Sequence, residues 1–264
     1  MLNIGWFSTG RDAAALQLLQ VVQQSISTGD IKGEINFVFS NREPGESSES
    51  DLFFDLVRSY GIPLIYFSHR KFKSRLLHSA RNDIFLTEKS EDWRLKYDRE
   101  VARRIEEFSP DLCVLAGYML IIGEELCRRY NMINLHPASP GGPVGSWQEV
   151  IWKLIESKAE EAGAMIHLVT PELDRGPVVS YCLFPIKGKP FDQYWQKEDK
   201  EMLFKLIRQH ELDREFPLII STLKALSRGE IAVRNGKVVD AQGNIIQGYN
   251  LTEEINQAVK WKLT

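Results

Sequence analysis

The chain has 264 residues, with 33 Lys plus Arg against 36 Asp plus Glu, a formal net charge of −3. So even a balance argues against a broad nucleic-acid or anionic-membrane footprint, and no apolar run approaches the roughly 20 residues of a membrane span, so neither partner is expected. Cys113, Cys127 and Cys182 have no CxxC spacing and the N-terminus lacks signal-peptide character, which disfavours a disulfide framework or Cys-rich zinc site and leads us to expect a soluble, cytoplasmic protein.

In chain order, Ile4 to Phe7 is strand-like and Ala13 to Ser27 has helical periodicity. Ile35 to Phe39 is the next strand, Asp51 to Tyr60 a helix, and Pro63 to Phe67 a third strand. Ser68 to Lys89 is basic and weakly periodic, reading as a loop with a short helix or as a functional lid. Trp93, Tyr97, Val101, Ile105 and Phe108 then form an apolar helical stripe, followed by Leu112 to Ala116, apolar on both faces as a central parallel strand should be. This succession predicts an α/β fold with a Rossmann-like, doubly wound, mostly parallel sheet. Met165 to Val169 and Val178 to Pro185 are further strands, Glu198 to Ser227 is a C-terminal helix, and Ile231 to Tyr249 reads as a β-hairpin turned at Asn235-Gly236 or Gly243-Asn244. Trp147 and Trp152, on one short helix, suit either the core or a homodimer interface.

In such sheets ligands sit beyond the carboxyl ends of the strands. The richest such end is Asn134-Leu-His136-Pro, followed by a Pro- and Gly-rich loop to Gly145. The two-residue period of a strand puts Asn134 and His136 on one face. An amide donor beside a titratable imidazole suits oxyanion stabilisation with proton transfer, although a His at a strand end is also a common structural residue. Asp174, in Glu172-Leu-Asp-Arg-Gly-Pro177, reads as ordinary turn chemistry or as a carboxylate that orients His136. Two ligands without a third make poor evidence for a metal, and none is expected.

The strings Val114-Leu-Ala-Gly-Tyr-Met119, Ile133-Asn-Leu-His-Pro137, Gly163-Ala-Met-Ile-His-Leu-Val169 and Glu172-Leu-Asp-Arg-Gly-Pro177 resemble those of the 10-formyltetrahydrofolate-dependent formyltransferases, in the same order and over most of the chain. The resemblance implies a single formyltransferase-like domain over 1–264, with an acceptor-binding half at 1–115 and a folate-binding, catalytic half at 116–264. It implies 10-formyltetrahydrofolate as co-substrate and transfer of its formyl group to a small primary amine, by default phosphoribosylglycinamide in purine biosynthesis. Asn134, His136 and Asp174 match the family's catalytic residues: the first two would hold the oxyanion, while Asp174 would orient His136 and assist proton movement. Met119, Leu120, Ile121, Ile122, Glu172, Leu173 and Gly176 would bind the folate. Gly10, Arg11, Asp12 and Glu211 would face the acceptor, and His167, which also matches, reads as packing.

The match breaks at three places. Arg11-Asp12-Ala13 stands where relatives that use a phosphoribosyl substrate carry a phosphate-binding Gly-Ser-Asn; here Asp12 reads best as a helix N-cap. The loop after His136 lacks the relatives' apolar stretch, and Leu120 replaces a frequent Arg. The acceptor half therefore admits alternatives: a sugar-nucleotide amine or other small amine, release of formate to water, or a non-catalytic folate-binding protein.

Overall fold

The computed structural model describes residues 1–80 and 92–262. Their strands are β1 (Leu2–Phe7), β2 (Gly33–Ser40), β3 (Leu64–Tyr66), β4 (Leu112–Leu115), β5 (Met132–His136), β6 (Glu161–Leu168), β7 (Val178–Pro185), β8 (Ile231–Arg234), β9 (Lys237–Asp240) and β10 (Tyr249–Asn250). The hydrogen-bonded strand order is β10-β7-β6-β5-β4-β1-β2-β3, and β8 and β9 pair separately. The helices are α1 (Ala13–Ser27), α2 (Ser48–Ser59), α3 (His69–Ala80), α4 (Asp92–Ile105), α5 (Glu124–Arg129), α6 (Trp147–Glu156), α7 (Asp192–Gln196), α8 (Lys200–Arg228) and α9 (Thr252–Lys262).

The chain divides into two compact units. The first comprises Met1–Ile26, Gly33–Met132 and Val169–Pro171. Its strands β1, β2, β3 and β4 run parallel, as the alternation of apolar strands and amphipathic helices dictates. Phe7, Phe37 and Phe39 on the strands and Tyr97, Val101 and Ile105 on α4 form one core, so the stripe read from sequence is the face that α4 buries.

The second unit comprises Ser27–Lys32, Ile133–Leu168 and Glu172–Thr264. Here β6 runs antiparallel to both β5 and β7. Val150, Ile151, Leu154 and Ile155 of α6 pack with Leu203 and Ile207 of α8. Trp147 and Trp152, both half-buried, pack on Phe204 at the edge of this core, with Trp152 stacked at 4.9 Å between ring centroids.

One expectation changes. Tyr249 does not close the hairpin: Asn235-Gly236 turns β8 into β9, both residues taking the left-handed conformation such a turn requires, while Tyr249 lies in β10, parallel to β7. Of the basic segment, read as a loop with a short helix, His69–Ala80 is a twelve-residue helix, and 81–91 lie outside the described residues. The chain continues past the hairpin into α9, which packs against α8 and β7.

Candidate active site

β5 carries Asn134 and His136 on one face, as the two-residue period requires. The antiparallel register sets His167 of β6 directly across from Asn134. The amide Nδ2 of Asn134 lies 3.2 Å from His167 Nε2. Asp174 comes from the turn between β6 and β7, and its two oxygens face two rings: Oδ2 lies 3.8 Å from His136 Nδ1 and Oδ1 lies 3.5 Å from His167 Nε2. Its backbone is left-handed, with φ of 53°, a conformation Asp tolerates at a cost of about 1–2 kcal/mol. Within the second unit, Asn134, His136 and Asp174 thus come together.

Both imidazoles are buried, and each has one N–H spent on a backbone carbonyl. His136 Nε2 donates to the Pro143 carbonyl at 3.2 Å, and His167 Nδ1 donates to that of Leu168 at 2.8 Å. When neutral, each ring therefore turns its lone pair toward Asp174: His136 at Nδ1, His167 at Nε2. Burial pushes the His136 pKa below its ordinary 6.5, against the pull of Asp174 and the Pro143 carbonyl, and the neighbouring His167 lowers it further. For Asp174 burial acts upward, but the His167 hydrogen bond, the charges of both imidazoles and the Gly145 N–H outweigh it, holding the carboxyl below its ordinary range. The result is an ionised carboxylate between two buried rings. His167 Nε2 thus lies between the Asn134 amide and the Asp174 carboxylate.

The period of β5 made Asn134 and His136 legible in the sequence, whereas His167 was read as packing. It does pack, but it also bridges Asn134 and Asp174. Its signal was two-residue spacing from Met165 on a strand whose partner already carried the Asn-x-His pair.

The remaining candidates are described by unit. In the first, Gly10 takes φ of 61° and a Cβ there would lie 2.9 Å from Phe53, so glycine is required on both counts. Asp12 Oδ1 accepts the Ala15 N–H at 3.0 Å and caps α1, and Arg11 lies beside it, 3.7 Å from Oδ2. Met119 and Ile121 are exposed at 51% and 40%, Leu120 is half-buried and Ile122 buried. In the second, Glu172 and Leu173 are exposed and Gly176 is buried. Glu211 corrects an expectation. It lies inside α8 with its side chain at 0% exposure, beside Arg208 at 3.4 Å, and offers no surface to an acceptor. One residue along a helix turns a side chain by about 100°, which is enough to move an outward position inward.

An amide, two imidazoles and a carboxylate gathered on β5, β6 and the turn after β6 suit group transfer of the acid–base type. A family model described as Formyl transferase matches residues 13–190, and the chain belongs to the formyl transferase family. It is an enzyme of one-carbon transfer with 10-formyltetrahydrofolate as its co-substrate. The chain is 30% identical over 170 residues to the phosphoribosylglycinamide formyltransferase of Escherichia coli (strain K12), covering 64% of this chain and 68% of that one. In fold it is similar to the phosphoribosylglycinamide formyltransferase of Coxiella burnetii, with a TM-score of 0.69 at 19% identity over 94% of this chain and 98% of that one. It is likewise similar to a formyltetrahydrofolate deformylase from Pseudomonas syringae pv. tomato, with a TM-score of 0.64 at 20% identity over 90% of this chain and 65% of that one. Among the described residues no helix is long and apolar enough to cross a membrane, and no group of three or more His, Cys, Asp or Glu is arranged to hold a metal.

Proposed function

We propose that the chain transfers the formyl group of 10-formyltetrahydrofolate to a small primary amine, with phosphoribosylglycinamide as the default acceptor and purine biosynthesis as the setting. The observation that carries this reading is Asp174 Oδ2 facing His136 Nδ1 at 3.8 Å, with Asn134 on the same face of β5 as His136. Asn134 has two amide N–H groups; with one directed at His167, the other is available to an oxygen that gains negative charge. An attacking amine must shed a proton and the leaving nitrogen must gain one. His136 takes that proton at Nδ1, where Asp174 Oδ2 stabilises the imidazolium, because Nε2 is already committed to Pro143.

The folate contacts we carry as proposals are Met119, Leu120, Ile121 and Ile122 in the first unit and Glu172, Leu173 and Gly176 in the second. For the acceptor we retain Gly10, the half-buried Arg11 and the exposed Asp12. Asp12 bears on the alternatives: a carboxylate capping α1 is a poor neighbour for a phosphate, which favours an acceptor that places its phosphate elsewhere or has none. The similarity to a deformylase keeps hydrolysis as the second reading.

The test follows folate release from 10-formyltetrahydrofolate with and without phosphoribosylglycinamide, for wild type and His136→Ala. Turnover that requires the acceptor and drops at least 10³-fold in the variant is the expected result. Acceptor-independent release of formate would replace transfer by hydrolysis, and turnover unaffected by His136→Ala would sink the proposed proton path.

A further inference from the structure

Arg42 follows the end of β2 in the first unit, at the carboxyl edge of the parallel strands where ligands of such sheets bind. Its backbone N–H donates to Ser40 Oγ at 3.3 Å. Its guanidinium is half-buried and is fixed by hydroxyls: Nη1 donates to Ser47 Oγ at 2.8 Å and to Ser50 Oγ at 3.0 Å. Ser50, buried on the first turn of α2, donates in turn to the carbonyls of Thr9 at 3.0 Å and Gly10 at 3.2 Å. One serine thus joins the guanidinium to the loop that carries the proposed acceptor contacts.

The fold holds this side chain in place but does not balance its charge. An arginine carries its N–H donors in a planar fork, and Nη1 spends both of its own on the serines. Nε is buried without a partner, and Nη2 has none among the described residues although it reaches solvent. No carboxylate among the described residues comes within 4 Å of the guanidinium. Glu49 feels its charge from further off and is itself exposed. Arg11, next to Gly10, differs, because Asp12 stands 3.7 Å from its Nε. A guanidinium fixed by neutral hydroxyls keeps its full charge for an anion that arrives from outside, and its fork matches the oxygens of a phosphate.

We propose that Arg42 is the phosphate anchor of the acceptor site: Nη2, on the open side of the fork, binds the phosphate monoester of the incoming amine and selects acceptors that carry one. This rests on the reading of the chain as a formyltransferase whose acceptor meets the Gly10 loop. It also answers the difficulty that Asp12 poses. With that carboxylate capping α1, the phosphate lies on the side of Gly10 that faces Ser50 and α2, not on the first turn of α1.

The test compares phosphoribosylglycinamide with its dephosphorylated counterpart, ribosylglycinamide, at saturating 10-formyltetrahydrofolate, for wild type, Arg42→Met and Arg42→Lys. Wild type should favour the phosphorylated acceptor on the order of 10–100-fold in kcat/KM, the range for hydrogen bonds to a charged group. Arg42→Met should lose that preference. Its kcat/KM for the phosphorylated acceptor should fall by the same factor, while its kcat/KM for ribosylglycinamide and its KM for the folate stay within about twofold of wild type. Arg42→Lys, which keeps the charge but not the fork, should fall between the two. A wild type that uses both acceptors equally well overturns the proposal with no variant needed. A loss that Arg42→Met shows equally toward both acceptors also overturns it, since that assigns Arg42 to the packing of the loop, and leaves the formyltransferase reading standing. Formate release that neither acceptor alters overturns that reading, and the anchor with it.

Discussion

Two buried carboxylates of the second unit are treated in opposite ways. Asp174 meets two imidazoles and a backbone N–H, and these hold it ionised although burial works against the charge. Glu211 is enclosed within α8 next to Glu215, with Arg208 shared between them: Arg208 Nη1 lies 2.7 Å from Glu215 and 3.4 Å from Glu211. Burial and the like charge of Glu215 push the Glu211 pKa well above its ordinary value, and one of its oxygens finds no hydrogen-bond partner among the described residues. Being buried beside a basic group does not decide a carboxylate's state; the number of donors it keeps for itself does. The first arrangement supplies a fixed charge for chemistry, while the second is one cation divided between two acids.

The largest expected effect on this contrast comes from Asp174→Asn. The amide keeps the shape but removes the charge that receives a proton on His136, and kcat should fall on the order of 10³–10⁴. The stability change has a definite sign. The Asp174 pKa is depressed on folding, so its contribution is present above the ordinary carboxylate value and lost as pH falls through the folded one. Urea midpoints of the two proteins should therefore differ at pH 7 and converge in strong acid; a difference that grows in acid would refute the assignment. Next is Asn134→Ala, which removes the amide donor and should lower kcat about 10²–10³-fold, with KM for the folate little changed. A change confined to KM would mean that the amide binds rather than stabilises charge. Smallest is Glu211→Gln. Because the Glu211 pKa is raised on folding, its stabilising contribution is present at low pH and lost as pH rises. The variant should match wild type in urea at pH 4, exceed it at pH 8, and keep its turnover within about threefold. A tenfold loss of turnover would restore Glu211 as a functional residue.

The sequence made some of this visible and hid the rest, for identifiable reasons. Strands β1, β2 and β4 and the buried face of α4 follow from local apolar periodicity, and so does the side-by-side placement of Asn134 and His136. The position of Asp174 against His136 depends on the path of the turn between β6 and β7 and on a left-handed residue within it, which no local pattern encodes. His167 is partnered through strand register, a property of two segments at once. β10 is two residues long and is held to β7 by main-chain pairing, so its side chains carry no strand signal. Glu211 shows the converse: on a helix 29 residues long with Pro217 inside it, a one-residue difference in alignment decides between surface and interior.

The antiparallel pairing of β5 with β6 also constrains how relatives of this chain can differ in length. Asn134 faces His167 through a register that tolerates no odd slip, since shifting either strand by one residue would turn its polar side chains to the opposite layer. Insertions and deletions among homologues should therefore collect between Ala138 and Glu160, where the backbone bends through a loop, a helix and a turn. The stretches Met132–His136 and Glu161–Leu168 should align without gaps. A collection of related sequences could then be sorted by this criterion alone: those with a gap inside either strand have lost the pairing, whatever motif letters they retain.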